Sequence, residues 1–343
     1  MSGSVELSLI IPTCADRGAK LRALLTGIAS STVDPACYEV LVVVDAEDET
    51  PLGAAEVLPR AVRFVGLAQP HAGPAAARNR AIAQAQGRWL LILNDDALVD
   101  ADTVAGHLRC IRPNPTAAVA YLGRFDWPER LLESPWRRLL AQTSMVFFWD
   151  QMQAERTYGF RHFWTNNLSV RTELVRAVGG FNAGLPYALH EDIELGWRLE
   201  RRFGLRVQPV PSIRAWHDHA ITPRDYFVRE HRAGEAARRA RTLNSEFFNA
   251  VWGRWGDGEG MYAALSGLFA GPGREVRALL DRWATPSNRQ PTDDELRAVY
   301  LAHLPLKRLV FCQGFTGRAF DDGTRAEEAL PAAIGCKAKD LPC

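Results

Sequence analysis

Gly87-Arg88-Trp89-Leu90-Leu91-Ile92-Leu93-Asn94-Asp95-Asp96 is the stretch on which the fold turns. Its uninterrupted apolar run reads as a central strand that delivers Asn94, Asp95 and Asp96 to the strand's carboxyl end, where open α/β sheets bind their ligands. Two adjacent carboxylates in such a place repel each other and lose solvation unless a cation compensates, and hard oxygen ligands suit Mg2+ or Mn2+. A metal-bound diphosphate is the natural partner. Asn and Asp are also favoured turn residues, so the triplet read alone is equally a strand-to-loop turn.

Working outward, residues 7–11, 40–44, 62–65 and 89–93 read as strands, with helical patterns over 19–30 and 74–86 between them. The second helix opens with Pro74 after Gly73. This alternation is the signature of βαβ units around a parallel sheet, so the amino-terminal half reads as doubly wound. Beyond Asp100 the pattern is less regular. A helix is expected over about 135–154, followed by an aromatic segment with Tyr158, Phe160, Phe163 and Trp164. A strand over 167–170, a short helix ending at Gly179-Gly180, a helix over about 191–203 and strands over 205–210 and 213–216 follow. Thr222-Pro223 is a good helix start. From there the chain reads as helical with breaks near 253–260 and 271–273, and the periodicity weakens after Phe320. No internal repeat is found.

At 343 residues the chain exceeds one compact domain, so a main domain with a substantial appendage is expected. The formal net charge of +1 gives no bulk attraction to nucleic acid or to an anionic membrane, and any anion site must be local. Six cysteines without C-x-x-C or zinc-type spacing, in a chain too large to need staples, fit a reducing cytoplasm. The segment from Met1 to Glu6 lacks the features of a signal peptide, and no apolar run is long enough to span a bilayer. The expectation is a cytoplasmic protein, soluble or peripheral at the inner face of the membrane.

Several motifs flank the acidic pair in order. Ile11-Pro12-Thr13 ends the first strand, Val43-Val44-Asp45 ends the second, and Gly73-Pro74-Ala75-Ala76-Ala77-Arg78-Asn79-Arg80 opens the helix before Gly87. Downstream come Asn166-Asn167-Leu168-Ser169-Val170-Arg171, then Val178-Gly179-Gly180-Phe181, then His190-Glu191-Asp192-Ile193-Glu194-Leu195-Gly196-Trp197-Arg198-Leu199. In this order and spacing, residues 7–220 resemble family 2 glycosyltransferases. The resemblance implies an α/β GT-A fold, a Rossmann-like nucleotide-diphospho-sugar transferase domain over 1–220. Its nucleotide-binding half covers 1–100 and its acceptor half 101–220. A helical C-terminal extension over 221–320 and a tail over 321–343, expected to be flexible, complete the chain.

The resemblance further implies an inverting transfer of sugar from a nucleotide-diphosphate donor, UDP-sugar favoured, assisted by Mn2+ or Mg2+. Pro12, Thr13, Asp45, Arg78 and Asp95 then lie at the donor nucleotide, and Asp96 ligates the metal that bridges its phosphates. Asp192 matches the family's general base, with Glu191 orienting the site or the acceptor. His217, in His217-Asp218-His219, matches a histidine that some relatives place on the metal or the diphosphate, although a lone histidine is as readily a structural residue. Three departures stand out. Asn94 replaces the family's common first aspartate, Asp45 stands alone where two aspartates are usual, and Cys14-Ala15-Asp16-Arg17 replaces an aromatic residue and an asparagine.

Elementary chemistry agrees with a role for Asp192, because an inverting displacement needs a base for the acceptor hydroxyl's proton. Acids also favour the first turn of a helix for its dipole, and Glu194, four residues before Arg198, fits that structural reading. Gly196, one turn beyond Asp192, is expected to leave room for substrate. The segment from Trp136 to Trp149 reads as the buried face of a helix, a dimer contact or a membrane-interface surface presenting a lipid-linked acceptor. The arginine-rich helix over 229–241, with alanines at 233, 236, 237 and 240, reads first as packed and solvated and second as a basic docking surface. Acceptor classes left open are a saccharide, a lipid-linked glycan, a small molecule or a protein, and no nucleic-acid partner is expected. A NAD-dependent oxidoreductase fails at the first turn, which lacks G-x-G-x-x-G. A catalytically silent GT-A module that recognises a glycan or a protein partner is the alternative, and retention of Asp95, Asp96 and Asp192 argues against it.

Overall fold

The computed structural model describes residues 5–185, 187–287 and 289–324. They form two compact units, the first running to Asp126 and resuming over Met152–Asp218, the second made of Trp127–Gln151 and the described residues from His219 onward. The stretch 127–151, expected within the acceptor half, thus groups with the helical region.

In the first unit, strands β1 (Leu7–Thr13), β2 (Tyr38–Val44), β3 (Arg63–Ala68), β4 (Trp89–Leu93), β5 (Ala97–Val99), β6 (Val119–Asp126), β7 (Asn167–Arg171) and β8 (Arg206–His217) form one sheet in the order β3-β2-β1-β4-β7-β6-β8-β5. β1 pairs in parallel with β2 and β4, and every residue of these three strands is buried. That is why their sequences are continuous apolar runs instead of alternating ones. β7 runs antiparallel between β4 and β6, and β5 is antiparallel to β8 at the far edge. The helices of this unit are α1 (Gly18–Ala29), α2 (Pro74–Gln84), α3 (Thr103–Ile111), α5 (Thr172–Ala177) and α6 (Glu191–Phe203). Gly87 lets the chain enter β4 against β1, since a Cβ there would lie 2.6 Å from the Ser8 amide nitrogen.

Two expected elements differ from those observed. The runs 205–210 and 213–216 join into the single strand β8, and the irregularity between them is absorbed as a register shift opposite Gly123 and Arg124 of β6. The helix expected over 135–154 is α4 (Pro135–Gln142) alone, because Thr143 turns to φ −132° and ψ 166°. Ser144 is then tied to Asp150 and accepts from Gln151 Nε2 at 2.7 Å, which holds the following loop.

The second unit contains α4 with α7 (Pro223–Leu243), α8 (Ser245–Trp252), α9 (Glu259–Leu265), α10 (Pro272–Ala284) and α11 (Asp293–Thr316). α7 opens with a reciprocal capping box between Thr222 and Asp225, followed by Pro223, as its sequence predicts. Trp136, Leu139 and Leu140 sit in a core with Tyr226, Phe227, Leu280, Leu306 and Val310, and Trp136 Nε1 donates to Ile221 O at 2.7 Å. The apolar residues of α4 are therefore its buried face. α7 and α11 cross so closely that a Cβ on Gly234 would collide with Phe311 O, and one on Gly314 with His231 O. The tail was expected to be flexible from residue 321, yet Asp322 is buried, accepting from Arg277 Nε at 2.9 Å and from Thr324 Oγ1 at 2.9 Å. Residues 325–343, and residues 1–4 of the amino-terminal reading, lie outside the described residues. Among the described residues no helix is long and apolar enough to cross a membrane.

Candidate active site

Sheet register assembles the acidic centre. Ile10 of β1 lies opposite Ile92 of β4, so Thr13 and Asp95, each three residues further on, meet where both strands end. Thr13 Oγ1 donates to Asp95 Oδ2 at 2.7 Å, and both residues are fully buried. At the other edge, Ala97 of β5 pairs with His217 of β8, which sets His217 beside Asp96. His217 Nε2 lies 3.4 Å from Asp96 Oδ2, and the Asp218 amide donates to Asp96 O at 2.8 Å. Lys20 of α1 holds the end of β8 through Asp218 O.

A residue that sequence reasoning left out completes this centre. Arg17 forks onto Asp95, with Nε at 2.7 Å from Oδ2 and Nη2 at 2.8 Å from Oδ1, and the same Nη2 reaches Asp96 Oδ2 at 2.8 Å. Burial pushes the Asp95 carboxyl above the usual carboxylate range while the Arg17 charge pulls it back down. The signal was present, since two adjacent buried acids demand a positive charge and the loop after β1 offers one.

Asp45, expected at the base or ribose, is 3% exposed and both its oxygens are engaged by the loop that leads into α2. Oδ1 accepts from Gln69 Nε2 at 2.8 Å and the Ala72 amide at 2.9 Å. Oδ2 accepts from the Gly73 amide at 2.8 Å and faces His71 Nδ1 at 2.8 Å. Gly73 itself has φ 88°, a conformation that glycine alone adopts cheaply. Pro12 is buried within β1.

The Arg-Asn pair of α2 joins the two halves of the unit. Arg78, 2% exposed, donates through Nη1 to Glu191 Oε1 at 2.7 Å, and its Nη2 lies 3.4 Å from Asn94 Oδ1. Its guanidinium also stands 5.4 Å from the centre of the Phe181 ring. Asn79 grips the Phe181 backbone from both sides at 2.8 Å, and Gly180, at φ 74°, has no room for a Cβ beside Asn79 Oδ1. Arg78 was expected at the donor; its visible partners are Glu191 and Asn94, which makes it a strut between the acidic centre and the start of α6.

α6 carries the Glu191-Asp192 pair. Its first residue follows His190, whose φ of 71° is left-handed and the only such non-glycine value among the described residues. Asp192 is half-buried, its Oδ1 accepts from the Ile193 amide at 2.7 Å, and loss of solvation followed by the Glu191 charge pushes it up to about 7. Glu194 is clasped by Arg198 at 2.8 to 3.1 Å, and Arg198 also donates to Val178 O and Gly180 O at 2.6 and 2.7 Å, so this pair locks α6 to the preceding turn. Gly196, expected to leave room for substrate, instead admits a loop, since a Cβ there would lie 2.5 Å from Phe163 Cβ. His107, buried between Ser169 and Asn167 at 3.0 and 2.9 Å, is pushed down to about 4 by burial and stays neutral.

Among the described residues no three His, Cys, Asp or Glu side chains come together to hold a metal ion on their own. Two do. Ligands at right angles and about 2.1 Å from an octahedral ion stand about 3 Å apart. Asp96 Oδ2 and His217 Nε2, at 3.4 Å, fit two adjacent positions of such an ion; the carboxylate suits Mn2+ or Mg2+, and the imidazole, a softer donor, favours Mn2+ over Mg2+.

The sequence model described as Glycosyl transferase family 2 matches residues 8–179, half of the chain, ending before Asp192 and His217. Among solved structures, S. aureus TarS 1-349 in complex with UDP superposes with a TM-score of 0.51 at 15% identity, over 91% of this chain and 90% of that one. The mannosyltransferase PcManGT from Pyrobaculum calidifontis, in complex with GDP-Man and Mn2+, superposes with a TM-score of 0.51 at 16% identity, over 92% and 74%. At such identities the likeness speaks for the fold. No curated protein matches the chain.

Proposed function

The chain belongs to glycosyl transferase family 2 and is a glycosyltransferase of GT-A fold, and from that premise we propose that it transfers a sugar from a nucleotide-diphosphate sugar to an acceptor hydroxyl with inversion at the anomeric carbon. The observation that carries this reading is the continuous path Asp192-Glu191-Arg78-Asn94-Asp95. Glu191, beside Asp192, is ion-paired with Arg78, which reaches Asn94 next to the acidic centre. A base and a diphosphate-binding centre on one rigid frame are what a single displacement requires.

The acceptor oxygen bonds to the anomeric carbon as the bond from that carbon to the diphosphate oxygen breaks. The hydroxyl's proton passes to the Asp192 carboxylate, which its raised affinity for protons suits to general-base work near neutral pH. Glu191, held by Arg78, fixes the entry of α6 and so the direction of Asp192. Thr13 and Asp95 meet at the ends of two adjacent strands, at the crevice where the nucleotide of this fold class binds. Asp96 and His217 would hold a divalent cation, which would supply positive charge for the departing diphosphate. UDP is the first donor to test, because TarS was crystallised with it; GDP is the second, from PcManGT.

The test is calorimetric titration of UDP and GDP in Mn2+ and in EDTA, with Asp96→Ala alongside. Binding that needs Mn2+ in the parent and loses that dependence in Asp96→Ala is expected. Equal affinity of parent and variant in Mn2+ removes Asp96 from the metal site.

A further inference from the structure

Asp96 Oδ2 is claimed twice. It faces His217 Nε2 at 3.4 Å, the pair that suits a divalent ion, and it accepts Arg17 Nη2 at 2.8 Å. Arg17 does not stand there by accident of the surface. Its side chain is 11% exposed, and it is fixed by the fork onto Asp95 at 2.7 and 2.8 Å. A guanidinium is charged at every pH the protein survives, and planar, so it satisfies the two buried carboxylates together.

We propose that Arg17 is an internal counter-ion that contends with the divalent cation for Asp96 Oδ2, so that the metal binds weakly alone and tightly only with the nucleotide diphosphate. The inference rests on the reading of Asp96 and His217 as metal ligands. A dication on the His217 side of Oδ2 would sit within a few ångströms of the guanidinium, and like charges so close in a buried setting oppose each other. The two acids cannot stay buried without a cation, so Arg17 stabilises the protein when no metal is bound and must be displaced when one is. The displacement is local. Ala15 and Asp16 of the loop before Arg17 are exposed, and the guanidinium hangs from a flexible side chain at the start of α1. A diphosphate gives the displaced guanidinium a new anionic partner, which a metal ion alone does not. Metal and nucleotide therefore favour each other's binding through this one side chain, and the coupling is reciprocal.

Mn2+ titration of the full chain, read from the electron paramagnetic resonance signal of free Mn2+, tests this without any turnover. Arg17→Gln without nucleotide should bind Mn2+ roughly tenfold or more tighter than the parent, provided that circular dichroism shows it folded. Arg17→Lys keeps the charge but loses the fork, and should fall between the two. Added UDP should raise the Mn2+ affinity of the parent by a larger factor than that of Arg17→Gln. If Arg17→Gln does not fold, Arg17→Lys decides by the same comparison. Mn2+ binding by the folded variants no tighter than by the parent overturns the proposal. Asp96→Asn separates the two layers: if the parent binds Mn2+ with UDP and Asp96→Asn binds it equally, or if the parent binds none, the metal reading itself falls and this inference with it.

Discussion

The carboxyl of Asp192 carries its proton to about 7 because it has lost solvation and has Glu191 beside it, with Arg78 pulling the other way. If it is the base, kcat/KM should rise with pH through about 7 as the carboxylate forms. Arg78→Met removes the opposing charge and should move that limb to higher pH, a shift that a purely structural arginine would not cause. Asp192→Asn should lower turnover by roughly 10²- to 10⁴-fold and abolish the limb, read as release of nucleoside diphosphate. The same group bears on stability. Its folded-state value lies above an ordinary aspartate's, so its contribution to stability is present below about 4 and is lost as pH rises through about 7. Asp192→Asn should therefore gain thermal stability over the parent at pH 8 and much less at pH 5.

α6 is placed by two backbone details that no periodicity announces. His190 enters it in a left-handed conformation, φ 71°, which costs a residue with a Cβ roughly 1–2 kcal/mol. His190→Gly should relieve part of that cost, and His190→Val should lose about 1–2 kcal/mol by urea unfolding. Gly196 seats the helix on Phe163, with 2.5 Å available for a Cβ. Gly196→Ala should cost about 1–3 kcal/mol and, by shifting the helix that bears Asp192, should lower turnover more than donor affinity.

Over the whole molecule, every residue assigned to the donor, the metal or the base lies in the first unit, whereas the close crossing of α7 and α11 lies in the second. Gly314→Ala drives a Cβ against His231 O, where backbone must move. The expected outcome is a stability loss of about 1–3 kcal/mol or more, seen as a lower unfolding midpoint by calorimetry, with UDP affinity changed by less than about twofold. A matching loss of UDP affinity would tie the helical unit to the donor site.

Apolar runs of strand length announced β1, β2 and β4, and the acids at the end of β4, the proline start of α2 and the extent of α6 were equally legible. These are local facts, because burial on both faces of a parallel strand and the needs of a helix end act on neighbouring residues. The order of the motifs pointed to the family, and the acidic pair announced its need for a cation. The loop after β1 offered Arg17 as that cation, but its pairing with the acids depends on strand order. Arg17 reaches Asp95 across 78 residues and Arg78 reaches Glu191 across 113, and both partnerships exist because β4 lies between β1 and β7. Asp45 holds the loop into α2, and the segment 127–151 groups with the helical unit, for the same kind of reason. Pattern along a chain reports what each residue needs; strand order and helix docking decide which distant residue supplies it, since a charge or a Cβ acts through space over a few ångströms whatever the separation in sequence.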